Sequence, residues 1–358
     1  MAHQIARDSL VRAERTAHEL VGRSFLREQD FTVLEWNYLL DLAQRLKLEH
    51  VIGMKRARLQ GANIALVFEK PSTSTRCAFE VAAHHQGAQV TYVDRATSHL
   101  GTAETIKDVG RVLGRMYDGI AYRGSRHGDA EVLARRAEVP VWNALTDRWH
   151  PTQSLCDVLT MREATGKADA EIAFAYCGDA RSSVANSLLV AGAMLGMDVR
   201  MVAPADAWNP PAVISTARDI AAETGARITH TDDPATGVTG VDVVYADVWA
   251  PLGSATTTWA SRVAMLAPYR VDMRLLELTG NAEVRFMHPL PALHDRESAL
   301  AESLGEALAQ GGAASADQVD AALEVTDEVF ESAHSIVFDQ AENRMHTVEA
   351  VLVATLGS

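Results

Sequence analysis

Cysteine is scarce: Cys77, Cys156 and Cys177 are the whole complement. They are too few and too scattered for a disulfide framework or a zinc site, and they read as reduced thiols of a cytoplasmic protein. Long apolar runs are missing too; none approaches the ~18 residues of a membrane span. The opening MAHQIARDSL carries charges where a secretory signal needs an apolar stretch. Positive charge is in deficit, Lys+Arg 33 against Asp+Glu 47, for a net −14. That balance argues against nucleic acid or an anionic membrane as a partner, although a pocket on an acidic protein can still be locally basic. No low-complexity segment and no short repeat occurs. A GxGxxG turn is absent as well: Gly178-Asp179-Ala180-Arg181 follows an expected strand without that spacing, so a dinucleotide site has little support.

What is present is a chain of 358 residues. One hydrophobic core rarely grows past about 250–300 residues, so two domains are expected. Their texture is an alternation. Short apolar runs at Asn63–Phe68, Gln89–Val93, Gly119–Tyr122 and Val139–Trp142 predict buried parallel strands. Helical spacing intervenes at Phe31–Leu48, from the Ser/Thr-rich turn through Ala83, and at Thr105–Met116. The pattern repeats with strands at Glu171–Tyr176, Val199–Ala203, Arg227–His230, Val241–Tyr245 and Val284–Met287. Helices are predicted at His150–Thr165, Ser183–Leu195, Ala212–Thr224 and Val325–Leu356. This predicts an α/β protein of two doubly wound parallel-sheet domains joined by interdomain helices.

In open parallel sheets, ligands sit beyond the carboxyl ends of the strands. Pro71-Ser72-Thr73-Ser74-Thr75-Arg76 lies in such a place and opens a helix. Unpaired helix N–H groups beside hydroxyls make a phosphate cradle, although N-capping by Ser72 or Thr73 explains the same residues. Arg123, His150, Asp247 and His288 also fall at or just beyond strand ends. Each alone reads as structural. Together they suit a cleft for an anion and a polar organic molecule.

Six stretches carry a resemblance: FEKPSTSTR at 68–76, LGRMYDG at 113–119, HPTQ at 150–153, DVW at 247–249, FMHPLP at 286–291 and FDQAENRMH at 338–346. In this order they resemble the aspartate/ornithine carbamoyltransferases, with the ornithine branch nearest, collinear from about residue 25 onward. The resemblance implies a donor domain for carbamoyl phosphate at 1–150, completed by a C-terminal helix at 336–358, and an amino-acid domain at 151–335. The active site would lie between domains and take a loop from an adjacent subunit of a homotrimer or a multiple of one. No metal and no organic cofactor is implied. Thr75, Arg123 and His150 correspond to the catalytic donors. Ser72, Thr73, Ser74, Thr75, Arg123, His150, Gln153, Leu290 and Arg344 correspond to the donor site, with Leu290–Pro291 a candidate cis bond. Asn186, Asp247, Pro251, Leu252, His288 and Pro289 fall at acceptor positions, and His99 falls in the borrowed loop.

Four places depart from the family pattern. Ser74 replaces an arginine that binds phosphate. His99 and Ala103 stand where the loop carries glutamine and lysine. Pro251-Leu252-Gly253 replaces Ser-Met-Gly, and Pro289 replaces a cysteine. The reading is a carbamoyltransferase that moves a carbamoyl group from carbamoyl phosphate, or a related donor, to an ornithine-like amino acid or another small amine. Use of a different donor or reaction, or a catalytically inactive subunit, are the alternatives. The retained Thr75, Arg123, His150 and Gln153 favour catalysis.

Overall fold

The computed structural model describes residues 15–54, 56–95, 98, 103–250, 255–298, 301–302, 304 and 323–357. The chain divides into two compact units: residues up to Leu159 with Glu342 onward, and Thr160–Ala341. Both crossings fall inside helices, Pro151–Thr165 and Val337–Leu356. The contacts give the reason. Ser154 donates to Glu28 at 2.7 Å, which ties the first half of one helix to the first unit. Gln340 Nε2 donates to Tyr245 at 3.2 Å, which ties the start of the other to the second.

In the first unit, β1 (Asn63–Phe68), β2 (Gln89–Asp94), β3 (Gly119–Arg123) and β4 (Val141–Leu145) form a parallel sheet in the order β2-β1-β3-β4. β1 is buried from Ile64 to Phe68, as its unbroken apolar run requires. β4 starts and ends later than expected, because it continues past the apolar run through Asn143, whose buried amide donates to the Leu26 and Trp149 carbonyls. A helix at His127–Ala137 was not anticipated, although its buried Ala130, Leu133 and Ala137 recur at helical spacing. The strand order reverses between β1 and β3. This is a topological switch point, and the turns after those two strands carry the candidate donor residues.

In the second unit, β5 (Ala173–Cys177), β6 (Asp198–Val202), β7 (Arg227–Thr231), β8 (Val243–Ala246) and β9 (Arg285–Met287) are again all parallel, in the order β7-β6-β5-β8-β9. The switch point lies between β5 and β8, which places the Gly178 turn and Asp247 side by side in the topology. Helices at Thr256–Leu266 and Met273–Leu278 are additional to the sequence reading. The single helix expected over Val325–Leu356 is broken. Val325 bridges Val271, a short helix occupies Asp327–Phe330, and Ser335 bridges Phe286 before the long helix begins at Val337. Backbone pairing with β9 competes with helix there and wins. Among the described residues no helix is long and apolar enough to cross a membrane.

Candidate active site

The first group of residues belongs to the first unit. Ser72 is the N-cap of the Thr73–His85 helix, and its hydroxyl accepts from Thr75 N–H at 3.4 Å. The first turn holds no acidic residue, so the exposed N–H groups and the helix dipole favour an anion. Thr73 is exposed and Ser74 half-buried in that turn, while Thr75 points inward and is buried. Capping and the phosphate cradle are therefore compatible, not competing, uses of these hydroxyls.

Two guanidinium groups meet Thr75. Arg344 Nη1 donates to Thr75 Oγ1 at 2.8 Å, and Arg123 Nη1 reaches the same oxygen at 3.5 Å. With both lone pairs engaged, the Thr75 hydroxyl has its proton to offer a ligand. Arg123 is aimed by its strand. The β3–β4 register shifts between Tyr122 and Arg123, and the opposing Leu145 sits at a φ of +140°. Bulges and strained residues of this kind re-aim side chains at functional sites. Tyr122 and Ser125 N–H hold the Glu69 carboxylate at 2.8 and 2.9 Å, which locks the turn after β3 to that after β1. Gly124 is required there, since a Cβ would collide with the Tyr122 hydroxyl.

Burial and the neighbouring Arg344 charge push the Arg123 guanidinium down to about 10, and its buried Nε has no hydrogen-bond partner among the described residues. Two cations this close, one with an unmet donor among the described residues, favour an anion. His150 is buried beside them. Desolvation, then the charges of Arg344 and Arg123, hold it well below the usual imidazole range. It is therefore a neutral ring at pH 7. Gln153 gives Nε2 to Asp157 at 2.6 Å, leaving its buried Oε1 without a partner among the described residues. That oxygen suits the N–H groups of a carbamoyl amide. Asp157 was not singled out from the sequence, although its spacing of four from Gln153 on one helix was visible. Arg76 does not join the group: its guanidinium lies 3.9 Å above the Tyr92 ring and pairs with Glu80 at 2.8 Å.

The second group belongs to the second unit. Asp247, just beyond β8, is buried. Its Oδ1 accepts from Val248 N–H at 2.8 Å and its Oδ2 faces the Tyr176 hydroxyl at 3.5 Å. Burial raises this carboxyl above the ordinary range, with His288 partly opposing. Tyr176 also bonds Ser182 at 3.0 Å; neither was picked out as a site residue, although both flank the Gly178 turn. Asn186 is buried in the Ser183–Met194 helix and accepts from Asn209 Nδ2 at 3.0 Å. His288 is fully buried. Its N–H donates to Gln340 at 2.9 Å, its Nδ1 accepts from Leu290 N–H at 3.1 Å, and its Nε2 lies 3.5 Å from Glu324. These bonds hold the turn through the half-buried Pro289 to Leu290, which has a φ of +50° and a cis bond to Pro291. His99, Pro251 and Leu252 lie outside the described residues, whereas Ala103 is described and exposed. Among the described residues, His294, Asp327 and Glu331 have metal-ligand spacing, but both carboxylates are exposed and His294 already pairs with Asp327 at 2.7 Å. They carry no argument for a resident metal.

The switch points of two parallel α/β units thus carry different chemistry, two guanidinium groups in the first and a buried carboxyl in the second. Residues 23–163 match the family model for the carbamoyl-P binding domain of aspartate/ornithine carbamoyltransferase. Residues 170–355 match the model for the Asp/Orn binding domain. The chain belongs to the aspartate/ornithine carbamoyltransferase family. An ornithine carbamoyltransferase from Pyrococcus furiosus is 36% identical, with a TM-score of 0.84, over 95% of this chain and 98% of its own. Those from Gloeobacter violaceus and Thermus thermophilus are each 34% identical, with TM-scores of 0.77 and 0.76. They cover 94% and 93% of this chain and 99% of their own lengths.

Proposed function

We propose that this protein transfers the carbamoyl group of carbamoyl phosphate, or a close relative of it, to an ornithine-like amino acid or another small amine. The convergence of Arg344 and Arg123 on the Thr75 hydroxyl, beside a neutral His150, carries the reading. Those groups would polarise the carbonyl oxygen as charge develops on it. Ser72, Thr73, the helix N–H groups and Arg123 would hold the phosphate, and Gln153 Oε1 would accept from the carbamoyl NH2. The neutral amine attacks the carbonyl carbon. A C–N bond forms, the C–O bond to phosphate breaks, and phosphate leaves with the electron pair while the amine sheds a proton. Asn186 and Asp247 would position the amine. The family resemblance supports a homotrimer, or a multiple of one, in which a neighbouring chain supplies the loop with His99.

Incubation with carbamoyl phosphate and a panel of amines, scored by mass, is expected to give a carbamoylated amine. No adduct from any amine would sink the proposal. Ornithine itself is expected to be turned over poorly, because Pro251 has no N–H to donate where the family carries Ser-Met-Gly. A kcat/KM for ornithine at or above about 10⁴ M⁻¹s⁻¹ would restore the plain ornithine assignment.

Ser74 removes a guanidinium from the anion site, and Arg76 is engaged elsewhere. Ser74→Arg is therefore expected to tighten carbamoyl phosphate by about 1–3 kcal/mol, the range for a charge-assisted hydrogen bond. Calorimetric titration of both proteins checks this. Equal micromolar affinity would mean that another cation already does this arginine's work.

A further inference from the structure

We infer that Asn143 is a positioning residue: its buried amide pins the peptide that leads into His150 and so sets the aim of the imidazole. The catalytic part of this inference rests on the carbamoyltransferase reading; the pinned turn does not.

Asn143 is the third residue of β4 and is fully buried. The chain beyond it has to leave the sheet, turn, and deliver His150 to the start of the Pro151–Thr165 helix. Asn143 Oδ1 accepts from Leu145 N–H at 3.0 Å, the two-residue reach of an Asx-turn. That bond holds Leu145 at its φ of +140°, a strained backbone region for a residue with a side chain. Asn143 Nδ2 spends its two protons on the carbonyls of Leu26 at 3.0 Å and Trp149 at 3.1 Å. Carbonyl oxygens can only accept, so the amide has one orientation. Thr146 N–H at 3.0 Å and the Thr146 hydroxyl at 3.3 Å also donate to the Trp149 carbonyl. The peptide between Trp149 and His150 therefore cannot turn without giving up buried hydrogen bonds. On its other side, His150 opens the helix, and its own carbonyl accepts from Gln153 N–H at 2.9 Å. The backbone of His150 is fixed from both directions.

Asn143 has no capacity left for a ligand, since Oδ1 and both Nδ2 protons are committed to backbone. Its effect on the reaction passes through residues 145–150. A ring donor stabilises developing charge only where its N–H is aimed, and a small misplacement from outside the chemistry can cost about 10²-fold in rate.

The experiment uses the full-length protein with carbamoyl phosphate and the amine that the panel identifies. Asn143→Ser keeps an oxygen that can accept from Leu145 N–H and gives up the donors to Leu26 and Trp149. Asn143→Asp does the same with the parent's shape. Each is expected to lower kcat about ten- to a hundredfold, with the KM for carbamoyl phosphate unchanged. In a His150→Ala background the same change is expected to cost less than about threefold, because the ring it aims is gone. A kcat within about threefold of the parent, or an equal loss in both backgrounds, overturns the inference; a merely structural role gives one of these together with a lower unfolding temperature. Should one variant fail to fold, the other decides. Hydrogen exchange read by mass spectrometry is expected to quicken about tenfold or more over residues 145–149 in Asn143→Ser, with β1 unchanged. Unaltered exchange in that segment also overturns the inference. If the parent carbamoylates no amine, the functional reading is what has failed, and exchange alone decides whether Asn143 holds the turn.

Discussion

Replacing Arg123 or His150 by alanine is expected to lower kcat by about 10²–10³, the usual cost of losing one donor to a developing oxyanion. Donor affinity should change far less. Arg123 reaches Thr75 from a bulged strand end, and His150 is held neutral beside two guanidinium groups. Both therefore present fixed N–H groups in a buried, cationic setting, where charge arising during the reaction gains most. The depressed range of His150 removes it as a proton store at pH 7. The measurement is kcat for each variant on the amine that the panel identifies, with donor affinity titrated separately and folding checked by thermal unfolding. A kcat within a few-fold of the parent in both variants would make the retained motif a structural relic.

Asp247→Asn should lower kcat/KM for the amine by about 10², the lower end of what a positioned acid or base contributes. It should also remove a limb of the pH profile. Burial raises the Asp247 carboxyl, so the proton stays on to a higher pH than on an ordinary aspartate. Only the carboxylate can accept from an amine N–H. Activity of the parent therefore rises as pH climbs through this raised value and falls away below it. The asparagine variant lacks that step and keeps only the rise caused by deprotonation of the amine itself. Rate profiles of both proteins across acid to neutral pH test the sign. A variant with the parent's rate and profile would reduce Asp247 to a brace for Val248.

Much of the architecture was legible because it is local. The β1 run from Asn63 to Phe68 is apolar without a break, since a parallel strand is covered on both faces, and its bounds match the expectation. Thr75, His150 and Gln153 could be placed because each lies in a short motif at the mouth of a strand or the start of a helix. The His127–Ala137 helix was missed although its spacing was present, because its charged residues mask a three-position apolar stripe. The C-terminal helix was drawn too long because residues 325–335 have helical composition but pair with Val271 and Phe286, partners no local pattern can name.

The sequence by itself determined the alternation of strands and helices, the family motifs and the chemical types available at the strand ends. Only the tertiary structure decided how those types are used. Arg344 finds Thr75 across 269 positions of chain. Arg76, adjacent to Thr75 in sequence, turns instead to Tyr92 and Glu80. Asp157 settles which end of the Gln153 amide is offered. Neutrality of His150 follows from burial next to two cations. A side chain's type is written in one position, but its charge state, polarity and aim depend on dielectric and on neighbours that the fold brings from far along the chain.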